Sequence, residues 1–522
     1  MNYCRENYRS RPVSRDLPGN YLHVGLLALF FSIALYLFTL APTVIWGDSA
    51  NFALKVKSLD MGYSADSHPL FIVLGKAFSC LPFEPAYSLN LLSALTASAT
   101  VFLVYLIVFG ITQSKISAVV GALALCVSHA FWLHAVMAEV YGLNAAFVAA
   151  VVLCLLKWRK NPDRHAPLYA AALLSGLGLT NHRIILVDLI GMTVFVLVTD
   201  PKIIRKGRAL LSVFFSFLAG SLLLVFIIVQ NMLNRPLTVV ADTFSAEGYK
   251  EAVVKYSPKV LEEMGIYFSY LFYQFPLAGF ALGFAGAVAL FRKDIKLALL
   301  FSLLIIMNGL LLFKLGPSYG HSKYTFYISA YMVFSILIGC GFFSLQNYLE
   351  QRRGFAGKLS PAAAFSVIFL PVLLYNVTPT LTKKLNIDLL NARQVPYRDN
   401  EKYFLNPSKR GYDGAERYAR EAFETASAGS VIIADYTPYT VLRYLQDIKG
   451  VRSDVLLVRI MGHGGIVPKI LSEHSGKRDI YLADIGIPRS YRVRYLQKKY
   501  DIVRQGVLHK VVPKETPAYP AN

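Results

Sequence analysis

The chain has 522 residues, of which 55% are hydrophobic and only 16% are charged. Soluble domains usually carry roughly 25% charged residues, and the mean hydropathy here is +0.46. These values exclude an ordinary soluble protein and predict a polytopic α-helical membrane protein. The net charge of +21 would suggest nucleic acid in a soluble chain. Membrane topology accounts for much of that charge here, and no nucleic-acid partner is expected.

Eleven apolar runs have the length of a membrane-spanning helix, or nearly so. The fifth and sixth runs are short and share a Gly-rich turn. In chain order the runs cover residues 21–41, 87–110, 116–136, 138–156, 167–181, 184–199, 209–231, 266–290, 297–314, 323–345 and 360–379. About eleven spans are therefore predicted.

Basic residues mark the cytoplasmic side of a membrane protein. With eleven spans, 19 Lys and Arg residues fall in the N-terminal tail and the short loops of one side, against ten in the longer loops of the other. We therefore predict an integral multi-pass protein, of a bacterial inner membrane, with a cytoplasmic N-terminus. The predicted domains are a cytoplasmic basic tail (residues 1–20), a transmembrane catalytic domain (21–380) and a periplasmic domain (381–522).

The last domain shows helical patterns that alternate with short β-rich runs. Strands are predicted over 430–434, 455–460, 479–483 and 507–512, and helices over 412–425, 437–448, 467–474 and 489–499. Such alternation predicts a small soluble α/β domain with a mostly parallel sheet. Asp435, Tyr436 and Arg443 fall at a strand end and in the following helix, where such sheets bind ligands. We expect this domain to recognise an acceptor, or else to be a solvated basic surface.

Asp48 follows the first span within about two helical turns, and a carboxylate so close to the membrane is costly unless it has a task or a partner. On the predicted topology, other unusual polar residues lie on the same external side: Asp66, His68, His134, Glu139, Asn181, His182, Arg183, His321 and Lys323. Transfer from an activated lipid phosphate suits this set. A carboxylate can take the proton of an attacking hydroxyl, and nearby cations can stabilise the leaving phosphate. Asp48 is the predicted catalytic residue, and the others, His134 excepted, are predicted to bind the donor or substrate.

Each of these residues also has a purely structural interpretation. Asp48 could cap a helix that begins at Ser49, and Glu139 could favour the start of a helix through its dipole. His134 could be an interfacial aromatic residue, and Arg183 and Lys323 could extend to the interface. The gathering of all of them on one face favours a site.

Four motifs carry a family resemblance: Trp46-Gly47-Asp48-Ser49, Glu139-Val140-Tyr141-Gly142-Leu143-Asn144, Gly178-Leu179-Thr180-Asn181-His182 and Ala434-Asp435-Tyr436-Thr437. In order and spacing the first three resemble a poorly characterised membrane family that includes protein O-mannosyltransferases acting on IPT-type extracellular domains. The fourth is similar to the soluble tail of bacterial members of that family. That family looks like a branch of the GT-C superfamily. The resemblance implies a GT-C fold, a polyprenyl- or dolichyl-phosphate sugar donor and inverting transfer. It also implies an acidic catalytic base in the first external loop, and Asp48 is the residue that matches.

The first loop departs from the family pattern at two places. Family members commonly carry Asp-Ser-Gly-Glu, whereas Ala50 and Asn51 follow Ser49 here. The usual His-Pro-Pro-Gly-Tyr-Pro piece is replaced by residues 64–69. Asp66 and His68 are the candidates to compensate.

The expected function is transfer of a hexose, with mannose the first candidate, from a polyprenyl-phosphate donor to a Ser or Thr hydroxyl of an extracytoplasmic protein. One alternative is a GT-C enzyme that glycosylates a lipid or a cell-surface glycan. A second is a transporter or flippase for a lipid-linked sugar, although repeated halves and broken helices, which are typical of transporters, are not clear in the sequence. A third is an inactive relative that only binds a glycolipid. The expected partners are the lipid-linked donor, the acceptor and membrane lipid. No cofactor and no metal ligand are identified, and a divalent metal is left open.

Overall fold

The computed structural model describes residues 20–62, 67–234, 260–315, 324–350, 359–388, 392–460 and 465–514. Helices dominate as far as residue 384. They are α1 (Tyr21–Phe38), α2 (Asp48–Ser58), α3 (Pro69–Phe78), α4 (Pro85–Thr112), α5 (Lys115–Cys126), α6 (His129–Ala135), α7 (Tyr141–Lys160), α8 (Ala166–Asn181), α9 (Ile185–Thr199), α10 (Gly207–Gly220), α11 (Leu222–Asn234), α12 (Val260–Gln274), α13 (Ala278–Lys293), α14 (Ile295–Leu315), α15 (Ile328–Glu350) and α16 (Leu359–Lys384).

All eleven apolar runs coincide with helices, but three of the runs are bent. The described residues contain five helices that are long and apolar enough to cross a membrane, or up to eight if each bent pair is one span. The bends are 68° between α5 and α6, 67° between α10 and α11, and 110° between α12 and α13. Runs 167–181, 184–199 and 297–314 lie on α8, α9 and α14. The protein is therefore a multi-pass membrane protein, and the count of eleven spans stays a prediction.

The bends within these three runs were not predicted from the sequence. The sharpest bend follows α12, where Pro276 has no amide hydrogen to donate and Leu277 has a φ of 47°. A proline in that position removes an intrahelical hydrogen bond and ends the helix before it. The chain then restarts as α13 in a different direction.

The C-terminal part contains five more helices and a five-stranded sheet. Its elements are α17 (Asn400–Leu405), α18 (Gly414–Thr425), β1 (Val431–Ala434), α19 (Tyr436–Asp447), β2 (Leu456–Arg459), α20 (Val467–His474), β3 (Ile480–Leu482), α21 (Val493–Leu496), β4 (Tyr500–Gln505) and β5 (Leu508–Pro513). The strand order is β2-β1-β3-β5-β4. The α/β prediction is confirmed, with most predicted elements displaced by no more than two residues.

The prediction of a mostly parallel sheet is wrong. β1 is parallel to β2 and β3, whereas β5 is antiparallel to both β3 and β4. β4 and β5 form a hairpin around Gly506, whose φ of 54° is one that glycine adopts at little cost. The predicted helix over 489–499 is only the single turn of α21.

The C-terminal part and the loop between α1 and α4 (residues 42–84, predicted to be external) share one hydrophobic core. Val44, Trp46 and Phe52 from the loop pack in the same cluster as Tyr418 of α18 and Leu445 of α19. Polar contacts cross the same boundary: the Trp46 indole N–H donates to the Tyr412 hydroxyl at 2.6 Å. The domain is therefore fixed against the loop that carries Asp48.

Two buried residues of α4 connect the loop before Asp48 with the turn between α6 and α7. Asn90 Nδ2 donates to the carbonyl oxygens of Ala41 (2.9 Å) and Thr43 (3.2 Å), while its Oδ1 accepts the Ala138 N–H at 2.7 Å. Ser93 Oγ accepts the Glu139 N–H at 3.0 Å and donates to the Glu139 carbonyl at 3.1 Å. Buried polar groups are normally satisfied in this way. The contacts place the loop before Asp48 beside the turn that carries Glu139.

Candidate active site

Asp48 is the first residue of α2 and its side chain is exposed. The residue before it, Gly47, has a φ of 76° and a ψ of −126°, a turn that favours glycine. One carboxylate oxygen, Oδ1, accepts a hydrogen bond from the Tyr436 hydroxyl. Within the described residues, no other hydrogen bond reaches the carboxylate, and none comes from the first amides of α2. The structural interpretation of Asp48 as a helix cap is therefore not supported by this geometry.

Tyr436 comes from the opposite end of the chain and begins α19. Its ring lies 4.8 Å from the Arg459 guanidinium, and the N–H of Thr437 donates to Oδ1 of Asp435, which caps the helix. Burial, followed by the charge of Asp48 and the hydrogen bond to it, raises the pKa of Tyr436. The hydroxyl therefore keeps its proton and is a hydrogen-bond donor to Asp48.

Glu139 lies in the turn between α6 and α7 and is only 9% exposed. Burial raises the pKa of its carboxyl well above the usual value, and the nearby charge of Asp48 raises it further. The nearest imidazole nitrogen is Nδ1 of His134, 4.0 Å from Oε1. The site thus pairs an exposed carboxylate with a buried carboxyl that retains its proton more readily.

Four aromatic rings run in a row from His134 across the end of the bundle that carries Asp48. Centroids are 5.1 Å apart between His134 and Tyr141, 5.5 Å between Tyr141 and His182, and 5.0 Å between His182 and His68. His182 Nδ1 accepts the Ile184 N–H at 3.0 Å, so a neutral ring carries its proton on Nε2. Burial lowers the pKa of His182, with His68 and Arg183 adding to the effect. His182 is therefore a half-buried, neutral hydrogen-bond donor at this end of the bundle.

Asn181 holds this row in place. Its side-chain Nδ2 donates to the Val140 carbonyl at 3.1 Å. The backbone carbonyl oxygen of Asn181 lies 2.7 Å from His68 Nδ1. The side chain is fully buried, so the structure makes Asn181 a support for the rings. The following residues are more accessible, with Arg183 half-buried beside His182. The predicted candidates Asp66, His321 and Lys323 lie outside the described residues.

Lys409 is a buried residue that sequence reasoning missed. It is 2% exposed, and its ammonium donates to the carbonyl oxygens of Tyr403 (2.9 Å) and Asn406 (3.0 Å). Its backbone N–H donates to the Thr39 carbonyl at 2.9 Å, where α1 ends. Burial lowers the pKa of Lys409 to about 7. The local sequence Asn406-Pro407-Ser408-Lys409-Arg410 has the composition of a solvated turn and gives no signal of burial.

The carboxylate of Asp435, which was expected to face a ligand, is bonded by other side chains of the protein. Nη1 and Nη2 of Arg393 donate to the two oxygens of Asp435 at 3.0 and 2.9 Å, and Nη1 also lies 2.8 Å from Asp484. The Tyr491 hydroxyl adds a bond of 2.7 Å to Asp435. Arg443 pairs with Asp447 on its own helix at 2.7 Å. The prediction that Asp435 and Arg443 face a ligand is therefore not supported by this geometry, and only Tyr436 reaches the site.

No three His, Cys, Asp or Glu side chains in the described part of the chain are grouped as a metal site would require. What the site offers is an exposed carboxylate, a buried carboxyl, neutral imidazoles and cations. These are the groups of acid–base and phosphate chemistry.

The fold and this site define a multi-pass membrane protein with the GT-C fold of glycosyltransferases. Over its length the chain is similar in structure to ArnT from Cupriavidus metallidurans, in the crystal structure bound to undecaprenyl phosphate. The TM-score is 0.58 at 12% identity, covering 96% of this chain and 98% of ArnT. The apo structure of the same protein gives 0.56 at 12% identity, with 94% and 96% covered. The predicted GT-C fold is confirmed.

Sequence comparison points to a more particular relative. Residues 48–204 match the family model of the N-terminal domain of the protein O-mannosyl-transferase TMEM260. The mouse (Mus musculus) protein O-mannosyl-transferase TMEM260 is 26% identical over 234 residues, which are 43% of this chain and 33% of the relative. The chain is thus aligned with about a third of this curated relative. The resemblance predicted from the motifs is confirmed, and the matched region begins at Asp48.

Proposed function

We propose that this protein is an inverting membrane glycosyltransferase. In this proposal it transfers a hexose, with mannose the first candidate, from a polyprenyl-phosphate donor to a Ser or Thr hydroxyl of an extracytoplasmic protein. The single observation that carries the proposal is the Asp48 carboxylate, with one oxygen fixed by Tyr436 and the other open. The O-mannosyl-transferase relative supports the sugar and acceptor, and the undecaprenyl phosphate bound to ArnT supports the type of donor.

The proposed reaction is a single displacement at the anomeric carbon. Oδ2 of Asp48 takes the proton of the acceptor hydroxyl, and the hydroxyl oxygen forms the new bond to that carbon from the face opposite the phosphate. The bond between the anomeric carbon and the phosphate oxygen breaks, and its electron pair leaves with the polyprenyl phosphate. Attack from the opposite face inverts the anomeric centre.

The leaving phosphate needs positive charge and hydrogen-bond donors. Arg183 can supply a planar fork of hydrogen-bond donors. The preceding residue, His182, can supply its Nε2–H as a further donor. Glu139 is placed to stay neutral while a phosphate is bound, because burial and Asp48 raise the pKa of its carboxyl. An anionic neighbour would otherwise repel the donor. These three residues are proposed to bind the phosphate, and Asp48 is proposed to act on the acceptor.

The three bent helix pairs bring the flippase alternative back into consideration, since broken helices are typical of transporters. The polar residues described above nevertheless gather at one end of the bundle. A labelled polyprenyl-phosphate hexose, incubated with membrane preparations, separates the two functions. A glycosyltransferase moves the label to an acceptor, whereas a flippase leaves it on the lipid and changes only its side.

The decisive variant is Asp48→Asn, which keeps the size of the side chain and its contact with Tyr436. Loss of a positioned base costs roughly 10²–10⁴-fold in rate, while donor binding should be retained. A matched control is Asp60→Asn, which changes an exposed carboxylate just after the same helix, where it accepts the Gly62 N–H at 2.9 Å. Turnover near the parental value in Asp48→Asn would contradict the proposed role of Asp48. Label that reaches only lipid or glycan would instead support the alternative acceptor.

A further inference from the structure

A cavity of about 720 Å³ lies among the described helices at the end of the bundle opposite Asp48. The ends of α4, α7 and α13, the starts of α1 and α14, and residues 340–344 of α15 form its walls. The loop with Asp48 follows the other end of α1 and precedes the other end of α4. Since α4 begins at Pro85 and its lining residues begin at Leu106, the cavity begins about 30 Å along the helix from that loop. It is therefore separate from the proposed active site.

The lining of this cavity is amphiphilic. Its interior is largely apolar, with Leu106, Leu153 and Leu290 among the lining residues. Its polar part is basic, because Lys157, Arg159, Lys160 and Lys293 line it together with a single carboxylate, Asp294. Arg159 pairs with that carboxylate at 2.6 Å. Lys157 and Lys160 are exposed and form no ion pair within the described residues. The cavity thus joins an excess of positive charge to an apolar interior.

We propose that this cavity binds an anionic phospholipid of the membrane leaflet at this end. A volume of about 720 Å³ falls within the ~300–1,000 Å³ range of ligand sites. It is far larger than a phosphate ion needs, and its apolar walls suit the first part of acyl chains. Basic pockets between membrane helices on the cytoplasmic side bind anionic head groups. The predicted topology puts this end on that side.

The proposal fits the chemistry of each part. Lys157 and Lys160, on the last turn of α7, face the phosphate of the head group, and Arg159 is held by Asp294 at the rim. Lys293 lies 5.8 Å from the centre of the Phe343 ring. The positively charged group of a zwitterionic head group would be repelled by the basic residues of this cavity. We therefore expect the cavity to select anionic over zwitterionic phospholipids by their net charge.

The test uses the purified full chain in detergent and measures the thermal unfolding midpoint against added lipid. Phosphatidylglycerol is the anionic probe, phosphatidylcholine with the same acyl chains is the zwitterionic one, and inorganic phosphate tests the head group alone. We expect phosphatidylglycerol to raise the midpoint saturably, and the other two to leave it unchanged. Equal stabilisation by both lipids, or saturation by inorganic phosphate, would overturn the proposal.

Two variants and a control locate the effect. Lys157→Gln with Lys160→Gln should weaken phosphatidylglycerol binding by at least about tenfold, since each basic residue near an anionic lipid contributes appreciably. Gly110→Phe tests volume without changing charge. A Cβ at this lining glycine meets no atom within 4 Å, so a ring can occupy the space. Gly110→Phe should weaken phosphatidylglycerol binding by a similar factor. If the double lysine variant does not fold, this variant alone tests whether the lipid binds in the cavity.

The control is Lys202→Gln with Arg205→Gln, which removes two exposed charges from the same predicted side but outside the cavity. Binding should change less than about twofold. An equal loss in the control would mean that overall charge, and not this cavity, attracts the lipid.

Discussion

The hydroxyl of Tyr436 donates a hydrogen bond to Oδ1 of Asp48 across a sequence separation of 388 residues. The contact holds one oxygen of an exposed carboxylate. Oδ2, the oxygen proposed to act on the acceptor, has no hydrogen bond within the described part of the chain. The contact also makes the C-terminal domain a part of the site. We therefore propose that Tyr436 is a positioning residue, which acts through Asp48.

Tyr436→Phe should lower turnover by about ten- to a hundredfold, since a hydrogen bond to a charged group contributes about 1.5–3 kcal/mol. The effect should fall on kcat, with donor affinity retained, because the proposed role of the hydroxyl is to orient Asp48 and not to bind the donor. Tyr439→Phe, one turn further along the same helix, is the control and should keep parental turnover. If the two variants behave alike, the hydroxyl of Tyr436 does not orient the base.

Arg183→Ala should weaken donor affinity by at least about tenfold, and Arg183→Lys should restore only part of it, because lysine lacks the planar fork. Binding of a labelled polyprenyl-phosphate sugar measures both. Arg410→Ala serves as the control: that guanidinium is exposed and stacks on the Phe38 ring at 4.0 Å. Parental affinity in both Arg183 variants would place the phosphate elsewhere.

Glu139→Gln should change how donor affinity depends on pH. The Glu139 carboxyl is neutral below its raised pKa and charged above it, so a bound phosphate is repelled as the pH rises through that value. Parental affinity should therefore fall with rising pH more steeply than affinity in the variant, where the side chain is always neutral. Binding isotherms between pH 5 and pH 9, a range chosen around the usual glutamate value of about 4.3 and above, measure this. Parallel profiles would contradict a role for Glu139 beside the phosphate.

Lys409 should make the protein more stable as the pH rises above about 7. Below its lowered pKa of about 7, the ammonium is charged in both the folded and the unfolded state. Between that value and the usual lysine pKa of about 10.4, the folded state loses its proton first, so the unfolded state binds more protons and stability rises with pH. Lys409→Met should abolish this rise in unfolding midpoints from pH 6 to 9. Lys498→Met, an exposed lysine of the same domain, should retain it.

The predicted orientation can be tested by reporter fusions at Lys160 and near Gly414. The excess of basic residues in the short loops predicts a cytoplasmic reporter at Lys160 and an external one at Gly414. A reporter at Lys202 should agree with that at Lys160. Reports from the same side at Lys160 and Gly414 would contradict the predicted topology.

Sequence patterns located most elements of this fold because apolar runs and strand–helix alternation are local. The bends did not follow from hydropathy, since a window of apolar residues does not record the backbone angles near Pro276. The hairpin at Gly506 was missed because β4 is mostly exposed and lacks an apolar pattern. Asp48 could be recognised from its motif and its position after a span. The partnership with Tyr436 and the burial of Lys409 depend on contacts between distant segments, which no local pattern records.

The shared core of the first loop and the C-terminal domain has a consequence for synthesis. At about 5–20 residues per second, Tyr436 is made roughly 20–80 seconds after Asp48. Until then Trp46 and Phe52 lack the apolar partners that α18 and α19 provide. A growing or prematurely terminated chain would hold Asp48 without its orienting hydroxyl and would expose apolar surface to cellular proteases. The candidate site is therefore complete only after the C-terminal domain has been synthesised and has folded against the loop that carries Asp48.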